Sequence, residues 1–511
     1  MHVIFWDTRK LGVSKDFAAG FGVGRYPPGG GFRGAVIRRF YTRDRRPVAL
    51  LFAHLAAALQ SLGHRVEYCE DRLPRSQADL YLFCPSLITL HLERQAVARL
   101  LERHPTARVV VVGPVASVMP EAFAGLGVTL VQGEAEQLLW RLDEVLARPA
   151  DTVQLGMIDD LDRLPMPDWS PFQPHRFRIG YDFCRFPTAL IQASRGCVLR
   201  CNYCPYIVPK NIVRFRSPEA VAEEMRYSIA RWGFRSFKFR DPLFGASRSR
   251  LYRLAELIGR LPRRIQFSIE TRIDVMRPET LRALKQVGLS SITVGIETPD
   301  EETQRRYRRA PIESDRQRAF LDTCRGLGIR TVAGFIIGFP SDTDRSIRNV
   351  LDYALKLNPT FANFNVMTPY PGTPFFEQIR SQIADFDYSH YTAYTPVLKY
   401  EHLSRERVAW WVAKCFRRFH FRWPYLAANA AILWPPLGRL GLGPAGGAPT
   451  DAQPAEPPHP AEPGHQAVPG PFAARLPHSA LGKKGLRHDR PHPRTRHSDL
   501  STGPRPEEER G

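Results

Sequence analysis

Three thiols lie within eight residues of one another in the stretch Arg195-Gly196-Cys197-Val198-Leu199-Arg200-Cys201-Asn202-Tyr203-Cys204. Thiolates on one short loop can converge on a metal centre, and soft sulfur ligands suit zinc or an iron–sulfur cluster. No fourth cysteine follows nearby. A structural zinc site is normally closed by four protein ligands, whereas a cubane held by three cysteines keeps one iron open to a small molecule. The other five cysteines, Cys69, Cys84, Cys184, Cys324 and Cys415, are scattered and read as small buried apolar side chains.

The elements that must position this loop follow from apolar periodicity. Val3–Trp6, Val66–Cys69, Asp79–Pro85, Arg108–Val112 and Val128–Val131 read as five strands, with helical spacing over 49–62, 92–103 and 134–146. That alternation predicts an α/β, doubly wound domain over residues 1–150, with ligands expected at the carboxyl ends of its strands. Residues 11–46 interrupt it with Gly and Pro clusters, including Pro27 to Gly31, an unusually long loop of the kind that is often functional. Residues 151–184 read as a proline-punctuated linker.

A second strand–helix series begins near residue 185. Ala189–Ala193, Ser236–Arg240, Gln266–Glu270, Ser291–Ile296, Thr331–Ile337 and Asn363–Thr368 are its expected strands. Six βα units are too few to close an eight-stranded barrel, so an open or partial barrel is expected over 185–390. A helical extension is expected over 391–439. Residues 440–511 hold fourteen prolines and almost no apolar periodicity, so they are expected to be disordered.

The spacing C-x3-C-x2-C, with Tyr203 before the last cysteine, resembles the signature of the radical S-adenosylmethionine (radical SAM) superfamily. Phe237-Lys238-Phe239-Arg240-Asp241, Val294-Gly295-Ile296-Glu297-Thr298 and Gly334-Phe335-Ile336-Ile337-Gly338-Phe339-Pro340 resemble its second, fourth and fifth strands, in order, and Thr368 to Pro374 closes the match. The resemblance spans roughly residues 185–375. It implies a partial (β/α)6 barrel with a 4Fe-4S cluster on Cys197, Cys201 and Cys204. It also implies an open iron that chelates S-adenosylmethionine and cleavage of that cosubstrate to a 5′-deoxyadenosyl radical. By the same resemblance Tyr203, Asp241 and Glu297 would serve the cosubstrate, and the backbone at Gly334 and Gly338 would pass close to adenine, as glycine allows.

The upstream domain resembles the cobalamin-binding class of these enzymes. The residues that carry this are Val112-Gly113-Pro114-Val115-Ala116-Ser117, Met119-Pro120-Glu121, Gln132-Gly133-Glu134-Ala135-Glu136 and Leu161-Asp162-Arg163-Leu164-Pro165. The resemblance implies a flavodoxin-like domain in which Ser86, Gly113, Pro114, Gly133 and Glu134 touch the corrin. Domains that ligate cobalt carry D-x-H-x-x-G after the first strand; here Asp7-Thr8-Arg9-Lys10-Leu11-Gly12 stands in that place. A protonated guanidinium has no lone pair for a metal, so any cobalamin is expected to lack a protein histidine ligand.

The implied activity is methyl transfer to an unactivated carbon of a small-molecule or lipid metabolite, with an electron donor such as flavodoxin or ferredoxin. The alternatives are a cobalamin-assisted radical cyclisation, oxidation or rearrangement, or a non-catalytic iron–sulfur regulatory protein. Composition limits the partners. The 72 Lys/Arg against 51 Asp/Glu give +21, but residues 440–511 supply only +1 (nine basic, eight acidic), and no basic stripe is interleaved with aromatics. A nucleic-acid substrate is therefore not expected. No uncharged apolar run reaches the length of about 18 residues that a membrane-crossing helix needs. The aromatic and arginine-rich stretch Trp410 to Trp423 suggests peripheral contact with a membrane surface. Cysteines without a secretion signal indicate a reducing, cytoplasmic setting.

Overall fold

Alternating apolar residues build two parallel sheets in the computed structural model, which describes residues 1–8, 15, 18–24, 26, 47–70, 73–179, 184–208 and 211–428. The first sheet contains β1 (His2–Trp6), β2 (Arg65–Cys69), β3 (Leu80–Phe83), β4 (Arg108–Val111), β5 (Thr129–Gly133) and β6 (Thr152–Gly156). All its strands pair in parallel, in the order β2-β1-β3-β4-β5-β6. The chain leaves β1 towards β2 on one side and later reaches β3 on the other, so the loops at that switch diverge and leave a crevice at the carboxyl ends.

The sixth strand is a correction to the sequence reading, which ended this region at residue 150. Only Val153 and Leu155 of β6 are buried, so its apolar signal is two residues long. It becomes a strand because β5 offers it an unpaired edge.

The second series begins with β7 (Thr188–Ile191) and a short antiparallel ribbon, β8 (Ser194–Arg195) and β9 (Arg214–Phe215). It continues with β10 (Ser236–Phe239), β11 (Gln266–Thr271), β12 (Leu289–Glu297), β13 (Arg330–Ile337) and β14 (Phe361–Val366). The six long strands pair in parallel and in chain order, with β7 and β14 at the two edges. The sheet is therefore open.

Helices between these strands start and stop where local chemistry dictates. In Pro218–Trp232, Ser217 accepts the Ala220 N–H at 3.0 Å, proline opens the first turn and Gly233 ends it with φ of 66°. Phe237, Phe239, Phe267, Ile269, Ile292 and Val294 join the large apolar core. The alternate residues Lys238, Ser268, Glu270 and Thr293 occupy the opposite face of the same strands. Parallel strands are usually apolar on both faces, so a polar inner face marks the side on which a ligand is handled.

The loop 27–46, Arg9 to Gly12 of the corrin-like motif and the tail 440–511 lie outside the described residues. No described helix is long and apolar enough to cross a membrane.

Candidate active site

A cavity of about 870 Å3 opens at the carboxyl ends of both sheets. Its wall takes Asp7 and Cys84 from the switch of the first sheet, Gly113, Pro114, Gly133 and Glu134 from the turns after β4 and β5, and Arg195, Gly196, Tyr206 and Asn211 from around the cysteine loop.

The cysteine loop leaves β7 under tight control. Asp241, 1% exposed, accepts hydrogen bonds from the Ala193 N–H (3.1 Å) and the Ser194 hydroxyl (2.6 Å). Burial pushes its carboxyl up to about 6, although the Ser194 bond opposes the shift. Asp241 is not on the cavity wall; both oxygens brace the strand end that feeds the thiols. Gly196 follows with φ of 81°, and a Cβ there would stand 2.4 Å from the Ile212 carbonyl oxygen. Only glycine lets the loop pass so close to its own return strand. Asn211 clasps the turn: its Oδ1 accepts the Cys197 N–H at 2.8 Å and its Nδ2 donates to the Cys197 and Leu199 carbonyls at 2.7 and 3.2 Å.

The thiols face one another electrostatically. Burial raises Cys204 to about 12, and proximity to Cys201 and Cys197 adds to the rise. Burial also raises Cys197, partly offset by the Leu199 N–H and by the guanidiniums of Arg272 and Arg309. A bound metal displaces the Cys204 proton and stabilises its thiolate. Among the described residues, no three Cys, His, Asp or Glu side chains are close enough to hold a single metal ion. The donor set of three soft ligands beside two buried guanidiniums fits an anionic cluster.

Glu297 and Arg309 complete this side. A register shift in β12 between Gly295 and Glu297 accompanies φ of 68° at Glu297. Its carboxylate lies 3.2 Å from Arg309, which also donates to the Gly295 carbonyl at 2.5 Å. Burial opposes the Arg309 charge, but Glu297, Tyr203 and Cys201 together raise its pKa. Tyr203 packs edge-on against Tyr307 with centroids 6.5 Å apart, and its buried hydroxyl has no hydrogen-bond partner. Gly334 pairs with Gly295 across β13 and β12, and a Cβ on it would meet nothing closer than 3.8 Å. The backbone there is bare. The Gly338 N–H is taken by Asp342 at 2.7 Å.

Deeper on the same face, Glu270 bridges Lys238 (3.3 Å) and Arg240 (2.7 Å). Burial raises the Glu270 carboxyl, but these two cations hold it below its ordinary range. Lys238 and Arg240 reach the cavity wall.

On the first-sheet side, Gly113 and Gly133 adopt φ of 95° and 112°. A Cβ on Gly133 would stand 2.3 Å from the Gly156 carbonyl oxygen. Glu134 accepts the Ile158 N–H (2.7 Å), pairs with Arg214 (2.7 Å) and meets Arg195 (3.2 Å), whose other nitrogen reaches Glu136 at 2.6 Å. Burial would raise Glu134, yet Arg214 and Arg195 bring its pKa below the usual carboxylate range. This lattice joins the turn after β5 to the residue two positions before Cys197. Ser86 stands apart from the other first-sheet candidates. It is fully buried behind the wall, with its N–H on Glu93 (2.8 Å) and its hydroxyl on Thr89 (2.6 Å). Lys15, buried beside Asp7 (3.3 Å) and Glu93 (2.7 Å), donates to the Cys84 carbonyl at 3.0 Å.

Sequence reasoning did not single out Lys15, Glu136, Arg195, Arg214, Lys238, Glu270 or Arg309 as site residues. The one available signal was charge in mid-strand, at Lys238 and Glu270. The others are ordinary loop residues until the chain folds.

Residues 191–354 match the family described as the Radical SAM superfamily. The anaerobic magnesium-protoporphyrin IX monomethyl ester cyclase of Cereibacter sphaeroides is 28% identical over 284 residues, covering 55% of this chain and 45% of the cyclase. The hopanoid C-3 methylase of Methylococcus capsulatus is 29% identical over 281 residues, 52% of each chain. The chain spans about half the length of the curated relatives it matches. Among solved structures, the cobalamin-dependent S-adenosylmethionine radical enzyme OxsB, with aqua-cobalamin and S-adenosylmethionine bound, shares the fold with a TM-score of 0.57 at 13% identity, covering 76% of this chain and 65% of OxsB.

Proposed function

We propose that this chain, whose residues 191–354 match the Radical SAM superfamily, reductively cleaves S-adenosylmethionine and methylates an unactivated carbon of a small-molecule or lipid metabolite, with cobalamin as second cofactor. One observation carries the reading: the flanks of the cysteine loop and the glycine turns of the first sheet line the same cavity. When bound, a 4Fe-4S cluster supplies the electron that splits the sulfonium, and cobalamin supplies the methyl group.

The chain's own residues hold and orient. Cys197, Cys201 and Cys204 would ligate the cluster, and Arg272 and Arg309 would offset its negative charge. Glu297 and Tyr203 stand close enough to Arg309 and the thiols to orient the cosubstrate. Gly334 leaves room for a flat ring against β13. Asp241 acts on the loop through Ala193 and Ser194, as a positioning residue. On the other wall Gly113, Pro114, Gly133 and Glu134 would meet the corrin. The neutral amides of Gln132, Gln154, Gln192 and Asn211 on the wall suit that ring's amide-bearing rim. No histidine is among the described residues of the wall.

The reductant would be a one-electron carrier such as flavodoxin or ferredoxin. All eight cysteines are free of disulfides, which supports a cytoplasmic setting. Anaerobic reconstitution followed by turnover tests the proposal. Methylated product and 5′-deoxyadenosine should appear in equal amounts, and methylated product without deoxyadenosine would overturn it.

The cyclase relative favours a second reading, a cobalamin-assisted radical cyclisation. A methyl label from S-adenosylmethionine that never reaches the product would select it.

A further inference from the structure

The helix Arg405–His420 buries Val408, Trp411, Val412, Cys415, Phe416 and Phe419 against the second sheet and turns its other side outward. That outer side is unusual for a surface helix. Trp410 remains 40% exposed, gripped by the Arg407 guanidinium and the Lys414 ammonium, each 4.3 Å from its ring centroid. Arg417 and Arg418 are exposed in the last turn. Three residues after the helix ends, Trp423 is 79% exposed. Large aromatics are mostly buried in proteins, so two on one edge of the fold call for a partner.

The helix Asp344–Leu357 packs beside this one, joined to it where Asp344 accepts from Arg407 (2.8 Å) and from the Trp411 indole (2.5 Å). Its exposed cations are Arg345, Arg348 and Lys356. With Arg407, Lys414, Arg417 and Arg418, the two outward faces carry seven cations against three acids, Asp344, Asp352 and Glu406, a net of +4. In the sequence that follows, no charged residue occurs from Trp423 to Gly438, and Trp434 adds a third tryptophan.

We propose that this two-helix face is a peripheral docking surface for an anionic lipid bilayer. Cations above a headgroup layer supply attraction, while tryptophan is the side chain whose flat apolar body and single N–H suit the boundary between water and acyl chains. An uncharged segment directly after Trp423 favours lipid over nucleic acid, whose phosphates would be met by further basic residues instead. The surface lies outside the cavity, so the proposal stands or falls independently of the chemistry assigned there.

The test is flotation of the full chain with vesicles of phosphatidylcholine alone and with phosphatidylglycerol added. Binding should require phosphatidylglycerol and weaken as salt is raised, because exposed charges are screened within about 10 Å at 0.1 M salt. The double variant R417E/R418E should bind about tenfold or more weakly, given that each basic residue near such a surface contributes about fivefold. W410A/W423A should bind more weakly at every salt concentration and show a smaller blue shift of tryptophan emission on vesicle addition than the wild type, Trp434 keeping its share. Arg417 and Arg418 are exposed, so R417E/R418E should keep the wild-type melting temperature, and both variants should keep the cavity's activity. Equal binding to both vesicle types, no binding to either, or binding to double-stranded DNA but not to vesicles would overturn the proposal.

Discussion

On the first-sheet side of the cavity the turns after β4 and β5 bring backbone to the wall at Gly113 and Gly133, both at positive φ, beside the neutral amides of Gln132 and Gln154. On the second-sheet side charged side chains reach the wall, Lys238 from β10, whose other face joins the apolar core, Arg240 just after that strand, and Arg195 from the short β8 ribbon. The difference follows from what each wall would handle. Glycine turns beside neutral amides would accept a large flat cofactor through shape and hydrogen bonds, whereas the chemistry on the other side needs charges held at fixed positions beside the cysteine loop. The two walls meet in the lattice of Glu134, Glu136, Arg195 and Arg214.

The sharpest way to separate the walls is C201A. It should abolish iron binding and deoxyadenosine formation, as measured by iron content and product analysis, while corrin binding followed by absorbance persists. Loss of both together would show that the walls are not independent.

Next in size is E134Q. Breaking one partner of a buried charge pair costs about 3–5 kcal/mol, and the lower end applies here because the Glu134 side chain is 18% exposed. Chemical denaturation should show the loss. E136Q should cost less, because Glu136 pairs with Arg195 alone among these cations.

Asp241, which braces the strand end behind the second wall, provides a pH test of that support. Its folded-state pKa, about 6, lies above the ordinary 3.8 because burial disfavours the charge. Between those values the folded protein keeps a proton that the unfolded chain releases. Stability contributed by this group is therefore present at low pH and lost as pH rises through about 6, by no more than about 3 kcal/mol at 1.36 kcal/mol per unit. Denaturation at several pH values should show that slope for the wild type and a flatter one for D241N.

The smallest expected effect is G133A on the first wall. A side chain at φ of 112°, with its Cβ 2.3 Å from the Gly156 carbonyl oxygen, should cost about 2 kcal/mol. Corrin affinity should fall in parallel with stability, while iron content is unchanged. A neutral result would mean that the turn can yield without consequence.

Much of this arrangement was readable in advance, for a local reason. The three thiols sit within eight residues, the strands declare themselves through short apolar alternations such as Phe237, Phe239 and Ile292, Val294, and the turns at Gly113 and Gly133 follow a strand directly. Such features depend on neighbours a few positions away, so sequence alone determined them. The fold decided the rest. Arg309 meets Glu297 and Cys201, Arg214 meets Glu134 across 80 positions, and β6 exists because β5 left an edge open. Ser86, which the sequence placed on the wall, turned its N–H to Glu93 and its hydroxyl to Thr89. Ion pairs and edge pairing depend on distances between residues far apart in the chain, and only tertiary packing sets those distances.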